Sequence, residues 1–375
     1  MAWHETRMDT LVQERLNDPW HNGVAISVYD EATGREVQAG GGVLDPRTPY
    51  FATGTTKLYV TAILMQLKGE GKIDLDKPFK TYMPTCKLCV EIHVKDNIDY
   101  TDDITIRHLM SHTSGLGDFF IYKHHARALQ HAIADGKDEA WTFDDVITRT
   151  RSHGAVMEPG VSRRALYTDT NFQILGKVIE CIEGKSFAEV FQERISERIG
   201  LHSTYIYCDP SDKRPARLMS RDSAVDVPLA MASFQSDGGV VTTSRDALTF
   251  TRAFFEGYLF DKRDLRSLFD WRPMFYPTEF GVGLMRAKIP YYMTLRERLR
   301  QPHKLFRGVP ALYGHVGMGG TFAFYAPEAH VYVAGTVNQL IDPARAVTLA
   351  LLSIEAMVDG RKKTSPSTVA NTVAP

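Results

Sequence analysis

Between residues 23 and 43 the chain reads GVAISVYDEATGREVQAGGGV, with apolar and polar residues alternating on both sides of Ala32-Thr33-Gly34. A period of two around a turn tripeptide predicts a β-hairpin that opens a sheet. From Thr55 to Lys68 the period changes: Leu58, Val60, Ile63, Leu64 and Leu67 recur at helical spacing, and Gly69 and Gly71 close the run. So few polar positions interrupt it that this helix is expected to be buried rather than amphipathic. Residues 74 to 235 hold more helix-period segments, among them ITIRHLMSH, TFDDVITRT and NFQILGKVIECIEG, joined by loops with Pro and Gly. After them LYGHVG, GTFAFYAP and HVYVAGTVNQ are short β-rich runs cut by Gly and Pro-Glu turns, and PARAVTLALLSIEAMVDG predicts a final helix.

Strands at both chain ends with helices between them predict an α/β (α+β) fold. One antiparallel sheet is built from both ends, flanked by helices, with an inserted helical lobe. The expected unit is a single domain over 1–360, its sheet lobe at about 20–50 and 236–358 and its helical lobe at about 74–235. The polar, Pro-containing end of the chain, 361–375, is expected to be a disordered tail. No internal repeat is found.

Composition narrows the function. With 375 residues, 43% of them hydrophobic, the chain can bury a large core, and a formal net charge of -1 gives no global field for nucleic acid or an anionic membrane. A small-molecule or peptide partner is expected. No window approaches the ~20 apolar residues of a membrane span. The N-terminal MAWHETRMDTLVQERL is charged and lacks the apolar core of a secretory signal, so a cytoplasmic location is expected. Cys86, Cys89, Cys181 and Cys208 do not make a disulfide framework. The Cys86-Lys-Leu-Cys89 pair, with His93 nearby, lacks the second ligand pair of a zinc finger and reads as two loop cysteines.

The candidate chemistry lies in three ordered signals: Gly54-Thr55-Thr56-Lys57, Tyr167-Thr168-Asp169 and His315-Val316-Gly317. A residue three before Lys57 shares its helix face, so a serine there would put a hydroxyl within reach of the amine. The chain has Gly54 instead. Taken singly, a helix lysine is usually a solvated charge, a tyrosine usually packs with a wet tip, and His-x-Gly is common in turns. His108 and His112 stand four apart but have no third ligand, and the basic run Arg286, Arg296, Arg298, Arg300, Lys304 and Arg307 reads as a solvated face that could cover the pocket and attract an acidic substrate.

In this order, and with GEGKIDLDKPFKTYMP, ITIRHLMSHTSGLGDFF, MEPGVSRRALYTDTNFQILGKVIE and YGHVGMGGTFAFYAP around them, the signals make the chain resemble the serine β-lactamase and penicillin-binding-protein superfamily from about residue 20 to 358. The likeness is to the class C-like branch of esterases, D-aminopeptidases, DD-peptidases and acyltransferases. It implies a nucleophile at position 54, activated beside Lys57, and an oxyanion hole made by the N–H of residue 54 and of Met318, after Gly317. Tyr167 is implied as the proton carrier, a task calling for a depressed phenol pKa, and His315 as a pocket residue that orients substrate. Asp169 replaces the commoner Asn of the second motif. A carboxylate there would hold Lys57 protonated and favour Tyr167 over lysine as base.

Gly54 has no side chain to acylate. Thr53 is expected at the helix N-cap, with its hydroxyl spent on first-turn N–H groups, and Thr55 and Thr56 point elsewhere. The expected parent activity is acyl transfer on an ester or amide, to water or to an amine or alcohol acceptor, with this form inactivated by a Ser-to-Gly replacement. A naturally nucleophile-less binding protein, or a non-covalent acid/base catalyst using Lys57 and Tyr167, is the alternative. The chemistry calls for no metal and no cofactor.

Overall fold

The computed structural model describes residues 3–121, 129–290, 309–340 and 343–364. The elements that position the site are α1 (Trp3–Leu16), β1 (Gly23–Asp30), β2 (Arg35–Gly42), α2 (Thr56–Gly69), α3 (Thr170–Glu183), α4 (Ser244–Glu256), β3 (Arg272–Pro273), β4 (Thr278–Phe280), β5 (Met285–Ala287), β6 (Leu312–Gly317), β7 (Thr321–Ala326), β8 (Val331–Thr336) and α5 (Pro343–Thr364). Eight strands form one sheet in the order β3-β4-β5-β6-β7-β8-β1-β2, and every neighbouring pair is antiparallel. The N-terminal hairpin thus completes a sheet whose other strands come from the last third of the chain. Register runs from Ala25 opposite Thr336 to Asp30 opposite Val331.

Alternation along these strands sorts side chains onto two faces. Val24, Ile26 and Val28 of β1, Phe322 and Phe324 of β7 and Val331 and Val333 of β8 pack with Met8 and Leu11 of α1 and Leu349 and Ile354 of α5. Ala323, Tyr332 and Ala334 face the other way, into a core shared with α2, α3 and α4. Each fully buried Val, Leu, Ile, Phe or Met among them contributes about 1.5–3 kcal/mol. A buried charge clamps the first face: Arg361 of α5 donates to both Asp30 oxygens, at 2.8 and 2.6 Å. Helix α5 therefore runs beyond the expected boundary at 360, to Thr364; residues 365–375 lie outside the described residues.

Helix α2 carries the mean burial its sequence forecasts, with Thr56 through Leu67 all buried. It enters from a 3-10 turn at Thr53–Thr55 and is held laterally where Thr61 donates to the Gly283 carbonyl at 2.8 Å. A second, three-stranded sheet joins Tyr50–Phe51, Val240–Thr242 and Tyr205–Ile206 beneath that turn.

Candidate active site

The start of α2 meets the end of β6 and the start of α3. At this junction Lys57, 0% exposed, donates to Asp169 Oδ1 at 2.6 Å and to the Asp237 carbonyl at 2.8 Å. The Tyr167 hydroxyl donates to the same Asp169 oxygen at 2.8 Å. One carboxylate oxygen thus ties a cation to a phenol, and the Lys57 amine lies 5.2 Å from the Tyr167 ring centre. Gly54, Lys57, Tyr167, Asp169 and Met318 line one cavity, closed by Thr53, Phe120, Phe234, Asp237 and Val316.

Charge in this cluster is unbalanced. Asp118 receives the Phe120 and Asp169 N–H groups at 3.0 and 3.3 Å, yet burial and the nearby Asp169 hold its carboxyl well above the usual range. Asp237 is raised in the same way, first by burial and then by Asp169. The expected depression of the Tyr167 phenol is overturned. Burial and then Asp169 push it well above its ordinary value, because the partner at its hydroxyl is an anion rather than the cation.

His315 does not line the cavity. Its ring, on β6, is buried edge-on to Phe280, with Nδ1 donating to the Val316 carbonyl at 2.7 Å. Burial, then Lys57, lowers its pKa to about 3, so it is a neutral wall. It still borders position 54: a Cβ on Gly54 would stand 3.4 Å from His315 Cε1, 3.3 Å from Gly317 Cα and 3.1 Å from the Val316 oxygen. Such an atom fits if the Val316 carbonyl gives by a few tenths of an ångström.

Thr53 is not a cap. It adopts a left-handed φ of 47°, and its hydroxyl receives the Gly319 N–H at 3.1 Å and meets Thr321 Oγ1 at 3.3 Å. The turn after β6 is thereby latched to the residue before Gly54, which sets Met318 against the cavity. His112, set aside with His108 as an unsupported metal pair, lies against the Tyr167 ring at 4.6 Å and accepts the Thr168 N–H on Nδ1 at 3.3 Å. His108 instead caps its own helix at Thr105. Arg286 of β5 is paired with Glu279 of β4, and Arg296, Arg298, Arg300, Lys304 and Arg307 lie outside the described residues. The Cys86 and Cys89 sulfurs are 3.0 Å apart as free thiols. Sequence reasoning missed Asp118 and Asp237; each stands beside glycine, Gly117 and Gly238, where a carboxylate resembles an ordinary turn residue.

Comparison with known proteins shows the same fold. D-amino acid amidase from Ochrobactrum anthropi SV3 superposes with a TM-score of 0.75 at 19% identity, covering 96% of this chain and 99% of that one. EstCE1, a hydrolase with promiscuous acyltransferase activity, superposes at 0.71 with 18% identity over 95% and 98% of the two chains. Teichoic acid D-alanine hydrolase of Staphylococcus aureus is 28% identical over 174 residues, 46% of this chain and 36% of that protein. The chain spans 36% and 51% of the length of two curated relatives it matches. The Beta-lactamase family model matches residues 8–356, so the chain, with its buried lysine, tyrosine and shared carboxylate beside the first turn of α2, belongs to the beta-lactamase family.

Proposed function

We propose that this fold serves acyl transfer on an ester or amide through an acyl-enzyme at position 54, and that Gly54 leaves the present chain without its nucleophile. The observation that carries the reading is the single Asp169 oxygen shared by Lys57 and Tyr167 beside Gly54. With a serine at 54, its hydroxyl oxygen attacks the acyl carbon. The hydroxyl proton passes to Tyr167 as Tyr167 passes its own to Asp169; reversal of this relay then protonates the departing amine or alcohol. Lys57 stays protonated throughout and stabilises the extra negative charge. The N–H groups of residue 54 and Met318 hold the developing oxyanion. Water, or an amine or alcohol acceptor, then takes the acyl group, and the dryness of the pocket decides between them.

One observation favours the alternative of a native binding protein or non-covalent catalyst. The Val316 carbonyl is already close to where a serine Cβ must sit, so the pocket is closed around a glycine. Gly54→Ser separates the readings. The serine-bearing chain is expected to turn over p-nitrophenyl acetate or butyrate and to be labelled at 54 by a fluorophosphonate, while the glycine chain is not labelled. A folded serine variant that neither labels nor turns over esters or amides, beside a glycine chain with a reaction of its own, refutes the acyl-enzyme. Weak background turnover by the glycine chain alone does not, since oxyanion stabilisation and binding survive loss of a nucleophile.

A further inference from the structure

Away from the cavity, a pair of nucleophilic side chains takes no part in acyl transfer. Cys86 and Cys89 meet in a loop that turns where the Cys86 N–H donates to the Met83 carbonyl at 3.1 Å. Both are free thiols, and their sulfurs stand 3.0 Å apart, only about 1 Å more than the roughly 2.05 Å of an S–S bond. Their surroundings differ. Cys89 is fully buried in the core shared with α2 and α3, whereas Cys86 is partly exposed beside Lys87, Leu88 and Val90, which face solvent. Burial, and then the Cys86 thiol, push the Cys89 thiol up, while Arg151 and Lys80 pull it the other way. Cys89 therefore stays protonated, and Cys86 is the sulfur that a reagent in solution reaches first.

The loop is tied down from outside. The Arg151 guanidinium, on the helix Phe143–His153, donates to the Leu88 carbonyl and to the Val90 carbonyl, the latter at 3.2 and 2.6 Å. Those carbonyls flank Cys89, so charge-assisted bonds fix the backbone on both sides of the buried thiol. An unfolded chain samples many spacings between the two sulfurs; the folded loop selects one within reach of a bond. Cys181 of α3 is a third thiol in the neighbourhood, exposed, and raised by burial and then by Cys86. Among the described residues no group of three or more His, Cys, Asp or Glu side chains could hold a metal ion, so the pair stands outside any ligand set there.

We propose that Cys86 and Cys89 are a reversible modification site, a dithiol that the folded chain holds ready to close by exchange with a small disulfide such as oxidised glutathione. The Cys86 thiolate attacks one sulfur of that disulfide, which forms a mixed disulfide and releases one small thiolate. The Cys89 thiol gives up its proton, and its sulfur attacks Cys86 Sγ. The Cys86–Cys89 bond forms as the bond to the small thiol breaks, and a second small thiolate leaves. Two protein thiols are thereby oxidised to one disulfide, one small disulfide is reduced to two thiols, and the two protons end on those thiols. Excess small thiol drives the same steps backward. The site is independent of the acyl-transfer reading and of residue 54.

The test uses the full glycine chain, folded in buffer and unfolded in urea, equilibrated with mixtures of reduced and oxidised glutathione. Samples are quenched in acid, alkylated with N-ethylmaleimide and mapped by peptide mass. In the folded chain the peptide carrying residues 86 and 89 is expected to lose two hydrogens and escape alkylation, at a glutathione mixture at least about tenfold more reducing than the unfolded chain needs. Cys181 and Cys208 should end as free thiols or single glutathione adducts. Cys89→Ser should trap a glutathione adduct at Cys86 that the parent does not accumulate; the parent comparison stands without this variant if the buried serine prevents folding. A folded chain no easier to oxidise than the unfolded one, a Cys86–Cys181 bond, or a lasting glutathione adduct at Cys86 in the parent overturns the inference.

Discussion

Asp237→Asn should make the protein more stable. The substitution keeps the shape of the side chain and removes a carboxyl whose ionisation burial, and then Asp169, penalise more than Lys57 and Gln173 offset. An uncompensated buried charge costs more than a buried neutral polar group, and that difference, on the order of 1–3 kcal/mol, is the gain expected at neutral pH. At roughly 2 cal/mol/K of unfolding entropy per residue, a 375-residue chain that unfolds as one unit shifts its Tm by about 1 °C per kcal/mol, so the rise is about 1–4 °C. The sign with pH is fixed by the direction of the shift. The folded carboxyl holds its proton above the value of 3.8 at which the unfolded one releases it, so the unfolded state binds fewer protons and the parent loses stability as pH rises through that window. The asparagine variant loses none by this route. Thermal unfolding followed by circular dichroism at pH 5 and pH 8 should therefore show a larger advantage at pH 8. A variant that melts at or below its parent at pH 8, or whose advantage is the same at both values, would refute the claim that ionising Asp237 in this pocket is penalised. A residue that weakens the fold where substrate would sit is the usual mark of function set against stability.

Lys57→Met should be strongly destabilising, by about 3–5 kcal/mol in denaturant titration, because it strands Asp169 as a buried anion held only by Tyr167; an unchanged midpoint would contradict the ion pair. His315, with its pKa lowered to about 3, should give no titrating imidazole signal by NMR between pH 5 and 8, and its contribution to stability is fully present above 6.5 and lost as pH falls below it. Glycine substitutions should divide by backbone: Gly54→Ala meets the Val316 oxygen at 3.1 Å and should fold within about 1 kcal/mol of the parent, whereas Gly115→Ala, at a φ of 77° and 1.9 Å from the Met157 oxygen, should cost several-fold more in the same thermal assay.

The elements most legible in the sequence were those long enough to show a period. LYGHVG is β6 residue for residue, and the end of α2 falls at Gly69, where the apolar run stops. The strands β3, β4 and β5, of two or three residues each, show no alternation to read, and neighbours in the sheet determine them. Thr53 was misread because capping is a local preference, while here the turn after β6 competes for the same hydroxyl and wins. The Lys57, Tyr167 and Asp169 cluster could be assembled from ordered motifs. Its electrostatics could not, since the phenol responds to whichever charge stands nearest, and the sequence does not say that Asp169 comes between Tyr167 and Lys57.

The pairing of β1 with β8 brings Ala25 opposite Thr336 and so sets an order of events in the life of the chain. On the ribosome, the N-terminal hairpin emerges roughly three hundred residues before its partner strand and must wait with Val24, Ile26 and Val28 covered by α1 but not yet by α5. The intervening helices, whose backbone hydrogen bonds are local, can form in the meantime. The pocket itself closes last, when the turn carrying Met318 latches onto Thr53, so a nascent or truncated chain ending before β6 would have its lysine and tyrosine but no assembled site. Such a chain would also offer an unpaired apolar strand edge to its neighbours, which makes aggregation during synthesis, rather than weak catalysis, the main hazard of shortening this protein.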